Sequence, residues 1–576
     1  MKLILTDYIA SLKEDRELDS LVQDLLREYD FEIVYGPHKG QRQYGVDIYA
    51  VGKDPEDSKR KVFLVTVKQG NFDRKNWQGS IQALEPSLRE IVTVFVRNNL
   101  APEHRDLPIK IIVAHNGIND PAVQQNWVSF TEQFPAIQFS IWQLETIVHM
   151  VYEKMMNENV LSDQRKILFR KIIVYLFNPD YDLSDYKVLL DDIIGDLAPK
   201  ETEKKNNLKS LRKINLLLTI VVSYCEREND TRLALKACEI TILRVWKFIN
   251  ENEELIDQDY FGQFIQVLIV RKNVTLLYLS KVLPVCEIKD GFSKNCGDSV
   301  NYTLVTYEHL GLIALSGLEF LQMADLYSNQ NDELVNILKD YAYQCANGVI
   351  NLFNNNRVIF NPRADNQVIE INLALLLLFL TGKRNDIRTL LIEYNNQIAH
   401  GKIFLNIAPH YYNNIDEIFD LDVNYKKRDQ FQYGSSSLIT TLTEWSAVIN
   451  DSGVYKAYLI LKEKVFTDCD LTLWYPDRTT ESLLYTSCAL PKSGYCLSNI
   501  VFPEDFEEFK ILTLTDHVFN CEEHDFLFLK HRLWSIGLIA SRHYRTYVFP
   551  HYWRQLIENV CTVSIEAPAD TELTTK

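Results

Sequence analysis

Hydrophobic positions along the first 150 residues repeat with two different periods. In residues 10–30 (ASLKEDRELDSLVQDLLREYD), Leu18, Leu21, Val22, Leu25 and Leu26 recur every three or four positions, which predicts an amphipathic helix. Shorter apolar runs then predict strands at FEIVYG (31–36), YGVDIYAV (44–51), VFLVTVK (62–68), IKIIVAH (109–115) and IQFSIWQ (137–143). PHKGQRQ reads as a loop and GKDPEDSKRK as a polar turn between the early strands. A helix is expected to open near Trp77, and NGINDPAVQQNWVSFTEQF (116–134) reads as a turn followed by a helix. The order αβββ(α)β(α)β predicts a compact α/β domain over residues 1–155.

Past residue 160 the helical period takes over, in NNLKSLRKINLLLTIVVSYCE, TRLALKACEITILRVWKFINEN, LGLIALSGLEFLQMADLYSN and NDELVNILKDYAYQCANGVINLF. Residues 156–207 are expected to be a linker with connecting helices; the acidic, then lysine-rich stretch 178–207 is its best candidate. A helical domain is expected over 208–404 and a mixed, mainly helical region over 405–576, with turns at YGSSS, NDSG, YPDRTT and LPKSG. The tail EAPADTELTTK reads as disordered. No repeat of 34 to 45 residues emerges among the helices.

Composition narrows the classes. With 46% hydrophobic and 24% charged residues, the chain has the profile of a soluble globular protein. Its net charge of −17 excludes a protein that coats nucleic acid by bulk electrostatics, and acids outnumber bases even within residues 1–155. Ten scattered cysteines without a CxxC pair read as reduced thiols, and an acidic residue by position 7 argues against an export signal. The apolar run INLALLLLFLTG (371–382) is about half the length a bilayer requires and reads as a buried helix. A cytoplasmic protein without a membrane span is expected.

Two polar positions break the strand pattern. Asp47 interrupts YGVDIY, and Lys68 with Gln69 closes FLVTVKQG. Side chains alternate along a strand, so Thr66 and Lys68 share one side, and Asp47 on a neighbouring strand can meet them. A carboxylate that binds Mg²⁺, beside a lysine that orients water or neutralises a pentavalent phosphorus, suits phosphodiester hydrolysis. The competing readings are ordinary: Asp47 caps a turn, and Lys68 snorkels from a strand end.

Taken in order, LDSLVQDLL (18–26), GVD (45–47) and VTVKQ (65–69) resemble the PD-(D/E)xK restriction-endonuclease-like superfamily, most closely its Mrr-type branch. The resemblance covers roughly residues 10–145, including IIVAHNG and FSIWQLETI. It implies a restriction-endonuclease-like α/β domain followed by a large, mostly α-helical region. It also implies Mg²⁺ (or Mn²⁺) held by Asp47, Asp19 and Thr66, with Asp47, Lys68, Thr66 and Gln69 as the catalytic set. Thr66 stands where the family has Glu or Gln, a departure that removes a charge. Lys39, Arg42, Arg74 and Lys75 are expected to grip phosphates of the nucleic acid; Trp77 could stack on a base, but a tryptophan at a helix start is more often core. Helix 12–28 is otherwise rich in acids (Glu14, Asp15, Glu17, Asp24, Glu28), which read as a solvated face.

The implied activity is a metal-dependent nucleic-acid phosphodiesterase, a DNA endonuclease of prokaryotic anti-phage defence regulated by its helical region or by a partner such as an ATPase. Two copies in a homo-oligomer would suit a double-strand cutter. The alternative is a non-catalytic scaffold with a degenerate nuclease-like domain. His517, Cys521, His524 and His531 have spacings that suggest zinc, but a convincing fourth ligand is unplaced and nearby Phe residues favour core. No GxxxxGK[ST], GxSxG or HExxH pattern is present.

Overall fold

The computed structural model describes residues 2–557 except 37–43, 80–82, 155–164, 177, 179–180, 199, 329, 412, 431–432, 478, 488–492 and 521–525. The chain divides into two compact units, Met1–Thr241 with Glu254–Val270, and Ile242–Glu253 with Arg271–Lys576.

The first unit is built on a five-stranded sheet of order β1-β2-β3-β4-β5, formed by Glu32–Tyr35, Ile48–Lys53, Arg60–Lys68, Ile109–His115 and Gln138–Trp142. β1, β2 and β3 are antiparallel neighbours, whereas β3, β4 and β5 run parallel. All five expected strands therefore form. The GVD strand starts later than expected: Tyr44 and Gly45 adopt positive φ (50° and 80°), so a turn replaces residues 44–47 and β2 begins just after Asp47. A Cβ on Gly45 would lie 2.4 Å from the Ser87 carbonyl oxygen, so the turn has both a steric and a conformational need for glycine.

Helices cover both faces. α1 (Lys2–Ala10), a wide turn at Glu14–Leu18, and α2 (Asp19–Glu28) precede the sheet. α3 (Arg74–Gln78) and α4 (Leu84–Glu90) follow β3, α5 (Pro121–Thr131) follows β4, and α6 (Leu144–Lys154) follows β5. One face buries Tyr49, Val51, Val62, Leu64, Ile111 and Val113 with Leu84, Leu88, Val123 and Phe130. α2 buries Leu21, Val22, Leu25 and Leu26 as its period predicts, packing on β1 and β2.

At β2–β4 the sheet holds a buried ion network. Lys61 Nζ lies 2.8 Å from Asp54 and 2.7 Å from Asp57, and Lys110 Nζ lies 3.0 Å from Asp54 and 2.8 Å from Glu56. Every ammonium has a carboxylate, which is what lets lysines sit inside apolar strands.

The unit continues into α7 (Arg165–Tyr175), α8 (Ser184–Gly195) and α9 (Lys204–Arg227). Within 178–207, expected as the best linker candidate among connecting helices, α8 buries Tyr186, Leu189, Leu190 and Ile193. These recur at helical spacing, but the surrounding acids and lysines mask the pattern.

The second unit is mainly helical. Helix Ser299–Leu326 packs against Asp332–Asn355 and Val368–Leu380, and the leucine run in the last of these is buried. Ser299–Leu326 is long and apolar enough to cross a membrane, yet 67% of its apolar window is buried within the protein. Residues past 405 combine short helices with two two-stranded sheets. Asp451 of NDSG and Ser436 of YGSSS each cap a helix by accepting a backbone N–H.

Candidate active site

The site lies where β2 begins and β3 ends. Asp47 grips β3 on both sides of Thr66: its N–H donates to the Val65 carbonyl (2.9 Å), and its Oδ2 accepts the Val67 N–H (2.7 Å). The carboxylate replaces a ladder partner at the point where the turn at Gly45 ends the strand. Burial pushes the Asp47 carboxyl up to about 6. The Val67 N–H and the Lys68 ammonium oppose that shift, while the carboxylates of Glu14 and Asp19 reinforce it. Asp47, Lys68, Glu14 and Asp19 therefore share one electrostatic neighbourhood.

Lys68 does not point free. Its Nζ lies 2.8 Å from Glu14 Oε1, and the neighbouring Gln69 N–H donates to Glu14 Oε2 at 3.2 Å. Glu14 is the residue that sequence reasoning assigned to a solvated face. It belongs instead to a single π turn, closed by the Leu18 N–H on the Lys13 carbonyl at 2.9 Å. Periodicity gives no sign of it, because a π turn shifts the helical phase by one residue. The helix carboxylate that meets Lys68 is thus Glu14. Asp19, at the first position of α2, is buried and accepts the Ser20 N–H at 2.6 Å.

Thr66 is buried, and its neighbour across the parallel pair is Val113. Gln69 is exposed. Arg74 and Lys75 are exposed at the start of α3, while Lys39 and Arg42 lie outside the described residues. Trp77 takes the commoner of its two readings, the core: it is 2% exposed and packs edge-on against Phe72, Trp127 and Phe130. Of the suggested zinc residues, Cys521 and His524 lie outside the described residues.

Two further residues complete the surroundings. His115 pairs in register with Lys68 and is buried, with Nε2 2.8 Å from Asn119 Oδ1 and Nδ1 3.2 Å from the Gly70 carbonyl. Burial pushes its pKa down, favouring the neutral ring. Asn116 accepts the Gly70 N–H at 2.8 Å and donates to the carbonyls of Ile9 (3.0 Å) and Leu12 (2.8 Å). It ties the segment leading to Glu14 to the turn that follows Lys68. Gly117 allows this approach, since a Cβ there would lie 2.4 Å from the Gly70 carbonyl carbon.

The donor set around Asp47 is all oxygen and anionic, the chemistry a hard divalent cation takes. Among the described residues, no three His, Cys, Asp or Glu side chains stand close enough to enclose an ion. Mg²⁺ requires less, because it keeps several waters and binds through one or two carboxylates. Asp47, with Glu14 or Asp19, meets that smaller requirement in donor type and charge.

No family model, curated protein or solved structure matches the chain.

Proposed function

We propose that the protein is a metal-dependent nucleic-acid phosphodiesterase whose site is Asp47 and Lys68, with Glu14 as the helix carboxylate. The observation that carries this reading is the placement of a desolvated carboxylate beside a lysine at adjoining strand ends. Around it stand two more acids whose repulsion a cation would relieve. A bound Mg²⁺ or Mn²⁺ would polarise the phosphate and acidify its water. Asp47, ionised above about pH 6, holds the negative charge such an ion needs. Lys68 stands ready to neutralise charge developing on phosphorus, and its pairing with Glu14 fixes its direction. Arg74 and Lys75, exposed just beyond Gln69, suit contact with flanking phosphates. DNA is the proposed substrate and anti-phage defence the proposed setting, in the cytoplasm, with an ATPase-type partner or a second copy bringing the acidic chain to its target.

One set of observations favours a second reading, a scaffold with a nuclease-like domain. Asp47 is engaged by the Val67 N–H, Lys68 by Glu14, and Thr66 brings no charge. The deciding experiment is cleavage of plasmid and single-stranded DNA with Mg²⁺ or Mn²⁺. Metal-dependent cutting by the wild type, lost in Asp47→Ala and Lys68→Ala, is the expected result. Cutting that survives both substitutions would remove the site assignment. A wild type inert with the metal and with candidate partners added would favour the scaffold.

A further inference from the structure

The segment that carries Glu14 is held from two directions. On the sheet side, Asn116 bonds the carbonyls of Ile9 and Leu12 and the Gly70 N–H. On the helical side, Lys209 of α9 forms an ion pair with Glu17 Oε1, while Glu17 Oε2 accepts the Lys13 N–H at 2.7 Å. The pair is sheltered, with side-chain exposures of 18% for Lys209 and 24% for Glu17. α1, immediately before this segment, also packs on α9.

We propose that the Lys13–Leu18 turn is the control segment of the site, and that α9 governs it through the Lys209–Glu17 pair, deciding whether Glu14 stands on Lys68. This rests on the nuclease reading for its meaning, but not for its geometry. Glu14 and Glu17 share one turn, so a shift at Glu17 moves Glu14, whose contacts at 2.8 and 3.2 Å leave little slack. The turn is also closed by a π-type bond, one residue out of phase with α2, an arrangement frequent at functional sites. A regular α turn over the same residues would bring a different side chain to Lys68, so the π turn is what places Glu14 there. α9 thereby gains a physical route to the site without touching it: Lys209, Glu17, Glu14, Lys68.

Withdrawing Glu14 leaves Lys68 without its fixed direction and the Gln69 N–H without its acceptor.

The test uses full-length Lys209→Ala and Glu17→Gln, with Lys209→Arg as the conservative control. Hydrogen exchange over residues 66–72 and the rate of Mn²⁺-dependent plasmid cleavage are both read. Release of Glu14 should speed exchange at the Gln69 N–H and slow cleavage at pH 7.5 by about tenfold, a size one contact network can carry. Lys209→Arg should keep both at their wild-type values. Unchanged exchange in both folded variants would overturn the proposal, as would changed exchange with unslowed cleavage in an active enzyme. Changed exchange in a protein that cleaves nothing would retire the nuclease reading and leave the control of Glu14 by α9 standing.

Discussion

Asp47 is pulled two ways. Its carboxylate serves β3 as a hydrogen-bond acceptor for Val67, a role a neutral amide oxygen fills equally well. Its charge, by contrast, is a cost: burial beside Glu14 and Asp19 raises the group from 3.8 to about 6. A raised carboxyl means the folded chain binds the proton more tightly than the unfolded one. Stability is therefore gained as pH falls from 6 towards 4, and lost on the way back up. That rise corresponds to about 3 kcal/mol at neutral pH, an upper figure for a partly accessible group. Asp47→Asn should accordingly raise the melting temperature at pH 7.5, with the gain disappearing by pH 4, while metal-dependent cleavage is lost. Equal melting curves at both pH values would mean that the charge is already relieved.

At the scale of elements, the strands were legible because their apolar runs match the sheet's two covered faces. Asp47 and Lys68 were legible for the same reason, as polar residues that break into apolar runs. Glu14 was not, since its contact depends on a π turn and on a partner 54 residues away. Asn116 also escaped, because an asparagine after a strand reads as a turn residue, and only the fold shows the carbonyls of Ile9 and Leu12 beside it. The buried Asp54 network was hidden by its own charges, in a segment whose polarity predicts only a turn. Lys61 and Lys110 are nearly sealed, at 3% and 4% side-chain exposure, and share Asp54. Burial favours the neutral acid, yet bonds from Lys61, the Glu56 N–H and Lys110 hold the Asp54 carboxyl below its ordinary range. Asp54→Ala should destabilise the protein by about 3 kcal/mol, near the low end for breaking a buried pair because Asp57 and Glu56 remain. A change under 1 kcal/mol in denaturant titration would show that those two suffice.

For the whole molecule, charge is the dominant fact. At −17, the protein should bind nucleic acid weakly and locally, so the salt dependence of any binding should be shallow. Replacing Arg74 and Lys75 together by Ala should reduce the slope of log affinity against log salt by about 2, because each basic side chain that neutralises a phosphate adds roughly one to it. An unchanged slope would mean that other side chains neutralise the phosphates.

The bonds made by Asn116 have a further consequence, for the order in which the protein comes into being. They join β4 to the carbonyls of Ile9 and Leu12, across sequence separations of 107 and 104 residues. While the chain is being made, Asp47, Lys68 and Glu14 leave the ribosome long before the residue that fastens their neighbourhood together. The arrangement at Lys68 is therefore unfinished until β4 has been synthesised and has docked. The neighbourhood of Lys68 is thus among the last parts of the sheet domain to take its final form.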